Sequence, residues 1–249
     1  MNASHRVNDF GSVAQLTGMP HIFITGKAGH GKDSIGDYLI ANYGFEKLSF
    51  SDGIRREVAA AYENSNFPVT VEWLDDRELK EAPQGRLALT FCRDADFIET
   101  ALKAFEVEDR CLDNEHDTAA AKMNAPRSPR RIQQIWGTEY RRTQDANYWL
   151  NYAEHKTDFS QAKVLTSVRY QNEIDFGNRI GAVRIHVQRQ NVGSAHDHIT
   201  EQLLPFDSKT IVVDNAGTIK DLCCKIDSVM ERLNADLKEH TSYKSRYTP

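Results

Sequence analysis

The run Gly26-Lys27-Ala28-Gly29-His30-Gly31-Lys32-Asp33-Ser34 constrains this chain more than any other, because of what flanks it. Before it stands His-Ile-Phe-Ile-Thr-Gly (21–26), a short apolar, β-branched stretch stopped by glycine, which predicts a buried strand. After it, Ile35, Tyr38 and Leu39 recur at helical spacing, which predicts a helix over 34–42. Gly26, Gly31 and Lys32 fit the pattern G-x-x-x-x-G-K at the junction. Glycines there let successive backbone N–H groups face one concavity without Cβ clashes. The helix that follows points its partial positive end at the same place. Lys32 adds a mobile cation. Such a cup grips phosphate, so Gly26, Lys27, Ala28, Gly29, His30, Gly31, Lys32, Asp33 and Ser34 are the candidate residues for binding the phosphates of a nucleotide. Position 33 is Asp where many such loops carry a hydroxyl for Mg²⁺, and Ser34 supplies a hydroxyl one residue later. Asp33 and Ser34 are therefore the candidate metal ligands; for Asp33, capping of the helix is the competing reading.

The same alternation continues along the chain. Residues 45–50 read as a second strand and 52–62 as a second helix. Further strands are predicted at 163–168, 182–189 and 210–215, with helices from Ser128, over about 145–155, over 173–180 and over 218–233. Ser128-Pro129 is a good helix start, with Ser128 as N-cap and Pro129 in the first turn. Strands alternating with helices imply an α/β fold: a doubly wound parallel sheet with helices on both faces and one helical or irregular insertion. With 249 residues, one domain over 21–249 behind a polar leader (1–20) is sufficient. The insertion is 63–127. In it Phe67–Leu74 reads as a strand or an extended loop, 94–106 as a helix and 112–127 as a polar loop. Two readings of the insertion stand: a lid over an acceptor, or a solvated excursion.

Composition excludes several classes. Lys and Arg number 31 against 36 Asp and Glu, a net charge of −5, which disfavours non-specific binding to duplex nucleic acid. No apolar run reaches the ~18 residues a membrane span needs, and the N-terminus lacks the apolar stretch of a signal peptide. Cys92, Cys111, Cys223 and Cys224 form no Cys-x-x-Cys pair, which suits reduced thiols in a cytoplasm.

A parallel sheet binds ligands at the carboxyl ends of its strands, which singles out the residues just after each one. Asp52 and Arg55 follow the second strand; an anion site and an ordinary helix start both explain them. Arg169 and Glu173 follow the strand at 163–168. Arg189 follows the next, ahead of a Gly/Ser/His-rich stretch with His196, His198 and Glu201 that reads as a lid. The two histidines without further ligands make a weak metal motif. Asn215 follows the last strand, where it either borders a base or forms a turn before Thr218 as N-cap. Separately, Arg127, Arg130, Arg131, Arg141 and Arg142 stand against a single acid, Glu139, over 127–142. Arginine's planar fork suits phosphate oxygens, and Arg130 and Gln134 share a helix face.

Together these segments resemble the bacteriophage deoxynucleoside monophosphate kinases. The resemblance is carried by GKAGHGKDS (26–34), SPRRIQQIWGTEY (128–140), NYWL (147–150), VRYQNE (168–173), DHITEQLLP (197–205) and VVDNAGTIKDL (212–222). It covers about 21–232 and is firmest from 128 onward. It implies a P-loop kinase-like fold and an ATP- and Mg²⁺-dependent conversion of dNMPs to dNDPs by a homodimer, in the host cytoplasm if phage-encoded. It carries roles onto Lys32 and Ser34 on the ATP side. On the acceptor side it carries them onto Arg130, Arg131, Gln134, Gly137, Thr138, Trp149, Arg169 and Glu173. Lys32, Arg130, Arg169 and Glu173 are thereby the catalytic candidates. One position departs from the family: Ser167 stands where relatives tend to place Asp, so that either Glu173 or Asp33 compensates or activity is altered. The alternatives from the residues themselves are a P-loop kinase for another small phosphate acceptor, such as dephospho-coenzyme A, and a nucleotide-binding regulator without turnover.

Overall fold

A computed structural model describes residues 18–27, 29–63, 67–110, 118–189 and 210–247. The leader up to residue 17, Ala28, Cys111, and the segment holding His196, His198 and Glu201 lie outside the described residues.

The chain forms two compact units, one of residues 1–48 with 157–249 and one of residues 49–156. The first holds a five-stranded, all-parallel sheet of β1 (Ile22–Thr25), β2 (Glu46–Lys47), β3 (Lys163–Leu165), β4 (Val183–Gln188) and β5 (Ile211–Asp214), in the order β2-β3-β1-β4-β5. Helices α1 (Lys32–Tyr43), α8 (Gln171–Arg179) and α9 (Ile219–Tyr247) flank it. All of β1 is buried, as expected of a central strand covered on both faces. Its alternate residues serve opposite faces. Ile22 and Ile24 join Ile35 and Leu39 of α1 and Leu222 and Ile226 of α9 in one core cluster. Phe23 instead stacks on Phe176 of α8, where a Cβ on Gly177 would meet the Phe23 ring at 2.7 Å.

The second unit is helical: α2 (Phe50–Ala61), α3 (Val71–Asp75), α4 (Ala95–Arg110), α5 (Ala119–Asn124), α6 (Pro129–Gln134) and α7 (Tyr148–Lys156). From Ile135 to Arg142 the α6 path continues as a π-helix, a wider turn that is rare and often sits at functional sites. Its core is aromatic: the Phe97 and Trp136 rings lie 4.4 Å apart, with Tyr140 edge-on to both.

Three expectations need correction. The second strand is two residues long, because Phe50 already starts α2. Phe67–Leu74 is not a strand: Thr70 accepts a hydrogen bond from the Trp73 N–H and starts α3. Residues 119–124 are helical, with Thr118 accepting from the Ala121 N–H. The Ser128 cap is present, its Oγ accepting from the Arg131 N–H.

Two buried histidines make the first unit acid-sensitive. His21 Nδ1 accepts the Lys163 N–H at 3.1 Å, so its lone pair is already used. Burial, then the Lys163 ammonium, lower its pKa below 6.5. His186 is lowered by burial first, then by His30, Arg184 and Lys32. Both are neutral in the fold and protonate more readily once unfolded. Their contribution is therefore complete above the ordinary value of 6.5 and is lost as pH falls through it toward the lower folded values. Each can add at most about 1.4 kcal/mol per pH unit of acid destabilisation. Thermal melting should fall between pH 7.5 and 5.5, and His21→Asn, which keeps an acceptor for Lys163 but does not titrate, should flatten the fall. A pH-independent melting point, or an unchanged slope in His21→Asn, contradicts this.

Candidate active site

The loop between β1 and α1 has the cupped form its glycines predict. Gly26, Gly29 and Gly31 take φ of 143°, 76° and 97°, a region that side-chain-bearing residues rarely adopt. The space is equally restrictive: a Cβ on Gly26 would lie 2.4 Å from the Val187 carbonyl oxygen. Helix α1 starts immediately after Gly31, its N-cap, which has no side chain to bond the first turn. The N–H groups of a helix's first turn point back toward the loop before it, which is the arrangement an anion requires. Lys32 Nζ donates to the carbonyls of Gly26 and Lys27, both at 2.8 Å, so its ammonium spans the loop.

Around the loop, Asp33 and Ser34 are exposed in the first turn of α1. The Asp33 carboxylate accepts from Thr166 Oγ1 at 2.8 Å, at the carboxyl end of β3 and one residue before Ser167. Gly31 is the N-cap of α1, so Asp33 does not cap it. Asn215 is buried and donates through Nδ2 to the His30 carbonyl at 2.9 Å. His30 is buried too, with Nδ1 3.1 Å from the Val187 carbonyl. Thr218 caps α9 through a reciprocal pair of bonds with Asp221.

At the other strand ends, Arg169 and Arg189 are exposed. Glu173 is only 2% exposed, and its Oε2 accepts the N–H groups of Arg169 (2.7 Å) and Tyr170 (3.2 Å). It therefore fixes the turn that carries Arg169 at the start of α8.

In the second unit, Arg130, Gln134 and Thr138 are all exposed, at intervals of four along α6 and its π-helical continuation. Arg130 Nε pairs with Glu81, and no bond to its Nη groups is found among the described residues. Arg131 pairs with Glu139 at 3.1 Å. Gly137 lies close against α2: a Cβ there would meet Ile54 at 2.7 Å. Trp149 is 1% exposed and donates its indole N–H to the Gly137 carbonyl at 3.0 Å, so it braces the helix from inside. Arg55 is held by two carboxylates, Asp52 at 2.6 Å and Asp75. The sequence reading missed Thr166, Asp75 and Glu81. Each partner lies 20 or more residues away in the chain, and no spacing rule reaches that far.

A model of the deoxynucleotide monophosphate kinase family matches residues 21–226, which takes in the loop, every strand and both arginine-bearing segments. The chain belongs to the deoxynucleotide monophosphate kinase family. Membership makes it a phosphotransferase of deoxynucleoside monophosphates. It is similar to the deoxynucleotide monophosphate kinase of Escherichia phage RB69, at 25% identity over 251 aligned residues that cover 85% of this chain and 100% of the relative. It is also similar to that of Enterobacteria phage T4, at 26% over 247 residues, 86% and 100% of the two chains. No helix among the described residues is long and apolar enough to cross a membrane.

Proposed function

We propose that ATP is the phosphoryl donor, that the loop at 26–34 holds its triphosphate, and that the acceptor is the phosphate of a dNMP. The observation that carries the donor assignment is the start of α1 behind three left-handed glycines, with the Lys32 ammonium spanning the loop. Loop amides and Lys32 grip the donor phosphates, and Lys32 tracks the charge that grows on them in the transition state.

Asp33 and Ser34 present an exposed carboxylate and an exposed hydroxyl at the loop's exit, which are oxygen donors of the kind Mg²⁺ prefers. No three His, Cys, Asp or Glu side chains converge among the described residues, which suits an ion that arrives with the nucleotide rather than one held in a protein cage. When bound, Mg²⁺ neutralises and orients the donor phosphates.

Arg130, Arg131, Gln134 and Thr138 are assigned to the acceptor, with Gly137 and Trp149 supporting their helix. Arg55, already held by two carboxylates with Asp52 among them, contributes to the shape of this side. Arg169 is aimed by Glu173, and Arg169 and Arg189 supply further positive charge to the phosphates. A monophosphate oxygen is already ionised at neutral pH, so catalysis is positioning and charge neutralisation rather than base strength. By the family resemblance the enzyme acts as a homodimer in the cytoplasm, that of the host if it is phage-encoded.

The test is ADP release coupled to a spectroscopic readout, with ATP and a panel of dNMPs, NMPs, dephospho-coenzyme A and phosphomevalonate. ADP formation with one or more dNMPs, and none with the last two acceptors, is expected. Turnover with dephospho-coenzyme A alone would replace the acceptor assignment. ATP binding with no ADP from any acceptor would mark a regulator.

A further inference from the structure

We propose that His30 and Asn215 are positioning residues: they pin the phosphate loop to the carboxyl ends of β4 and β5 and so set how tightly the donor nucleotide is held. The inference rests on the reading of the loop as the donor site. It differs from a direct contact of either side chain with the nucleotide.

His30 sits in the middle of a loop, yet it is only 7% exposed. Its imidazole is turned toward the sheet. A carbonyl only accepts, so the 3.1 Å contact with the Val187 oxygen fixes the proton on Nδ1. The main chain of the same residue is held from a second strand, because its carbonyl accepts from Asn215 Nδ2 at 2.9 Å. Asn215 is itself fixed: it is 7% exposed, and its backbone N–H donates to the Gln188 carbonyl at 2.7 Å. One loop residue is thus gripped at both its side chain and its backbone by the ends of two neighbouring strands.

The loop glycines rest on the same two anchors. A Cβ on Gly26 would come within 2.4 Å of the Val187 oxygen, and one on Gly31 within 2.7 Å of Asn215 Nδ2. The carbonyl and the amide that hold His30 are therefore the surfaces on which the cup's first and last glycines lie. They fix its depth. Beside them, His186 Nδ1 and Thr25 Oγ1 make a further buried bond of 3.0 Å between β4 and β1. A cup fixed in this way presents its amides already aimed, so the nucleotide need not order them on binding. Loss of an anchor should weaken the donor and spare the acceptor.

The experiment uses the full chain, with ATP as the probe. Calorimetric titration of ATP, steady-state KM values for ATP and for a dNMP substrate, and thermal midpoints are compared for the wild type, His30→Ala, His30→Asn and Asn215→Asp. Asn215→Asp keeps shape but cannot donate to a carbonyl. His30→Asn keeps a donor close to the Nδ1 position. His30→Ala and Asn215→Asp should each weaken ATP by about ten-fold in both Kd and KM, a change of about 1.4 kcal/mol. The KM of the dNMP should stay within about two-fold, and His30→Asn should recover most of the ATP affinity. Unchanged ATP affinity in both variants overturns the proposal. So does an equal loss for both substrates that tracks a fall in melting temperature, or a failure of His30→Asn to recover. A wild type that does not bind ATP overturns the donor reading and this inference with it, and is told apart because the wild type is titrated first.

Discussion

Lys32→Ala should lower kcat by roughly two to three orders of magnitude, the size of loss seen when a single donor to developing charge is removed. Two observations support so large an effect. The ammonium bridges the carbonyls of Gly26 and Lys27, at 2.8 Å each, so it lies across the cup rather than out in solvent. It is also a compact charge on a flexible stem, able to leave those carbonyls and follow the transferring phosphate. Lys32→Arg should not restore the rate, because a planar, delocalised guanidinium does not replace a compact ammonium that bridges two carbonyls and must follow the transferring phosphate. Neither change should unfold the chain: Lys32 is only part-buried and its partners are backbone carbonyls of an already tight turn. Rates and melting curves measured together check this. A rate for Lys32→Ala within ten-fold of wild type would remove the basis for the donor assignment.

The parts of the structure legible in the sequence are those encoded locally. The turn between β1 and α1 could be read because its shape depends on glycines at fixed offsets, and the structure gives Gly26, Gly29 and Gly31 the positive φ values that such a turn requires. The parallel sheet could be read because its central strands are unbroken apolar runs, such as Ile22–Ile24 and the Val164–Leu165 pair. The errors came where a local cap outweighed propensity. Val69, Thr70 and Val71 favour a strand by composition, yet the Thr70 hydroxyl caps a helix instead. Residues 119–124 looked polar, but Thr118 ahead of three alanines is a helix start, and that signal was available. The π-helix at 135–142 was not legible, since its one added residue per turn leaves no pattern in so short a segment.

The candidate site divides along the same line. Arg130 and Gln134 were placed on one face from a spacing of four, and both are exposed there together. What the spacing cannot carry is the charge that surrounds an arginine. Arg55 and Arg130 look equivalent in sequence. Yet Arg55 is buried between Asp52 and Asp75, whereas Arg130, paired with Glu81 through Nε, makes no other ion pair among the described residues and stays 44% exposed. Asn215 follows β5 directly, as its place in the sequence predicts. Its bond to the His30 carbonyl is a contact across 185 residues, which only the folded chain reveals.

The largest stability effect is expected in the second unit, at a residue that no motif marks. Glu57 of α2 collects three donors from two other elements. Its Oε2 accepts from Trp136 Nε1 and Arg141 Nε, both at 2.8 Å, and its Oε1 from the Tyr148 hydroxyl. Burial, with help from this carboxylate, pushes the Tyr148 phenol up to about 12, so the hydroxyl stays a donor throughout the physiological range. The glutamate is 17% exposed and Arg141 20%, so water cannot readily replace it. Glu57→Ala would strand an indole N–H, a guanidinium N–H and a phenol together. A stranded buried donor costs about 1–3 kcal/mol. Partial exposure and relaxation keep the three from adding, so about 3 kcal/mol is expected. Glu57→Gln, which retains one acceptor oxygen, should cost about half of that. Because Trp136 and Arg141 lie in the π-helix that carries Gly137 and Thr138, the KM for the dNMP should rise in both variants while ATP affinity holds. Chemical denaturation followed by tryptophan fluorescence measures the first effect and steady-state kinetics the second. If Glu57→Ala unfolds at the wild-type denaturant concentration, the hub is not what holds α2, the π-helix and α7 together. If the dNMP KM is unmoved in a clearly destabilised variant, this helix is not the acceptor's platform.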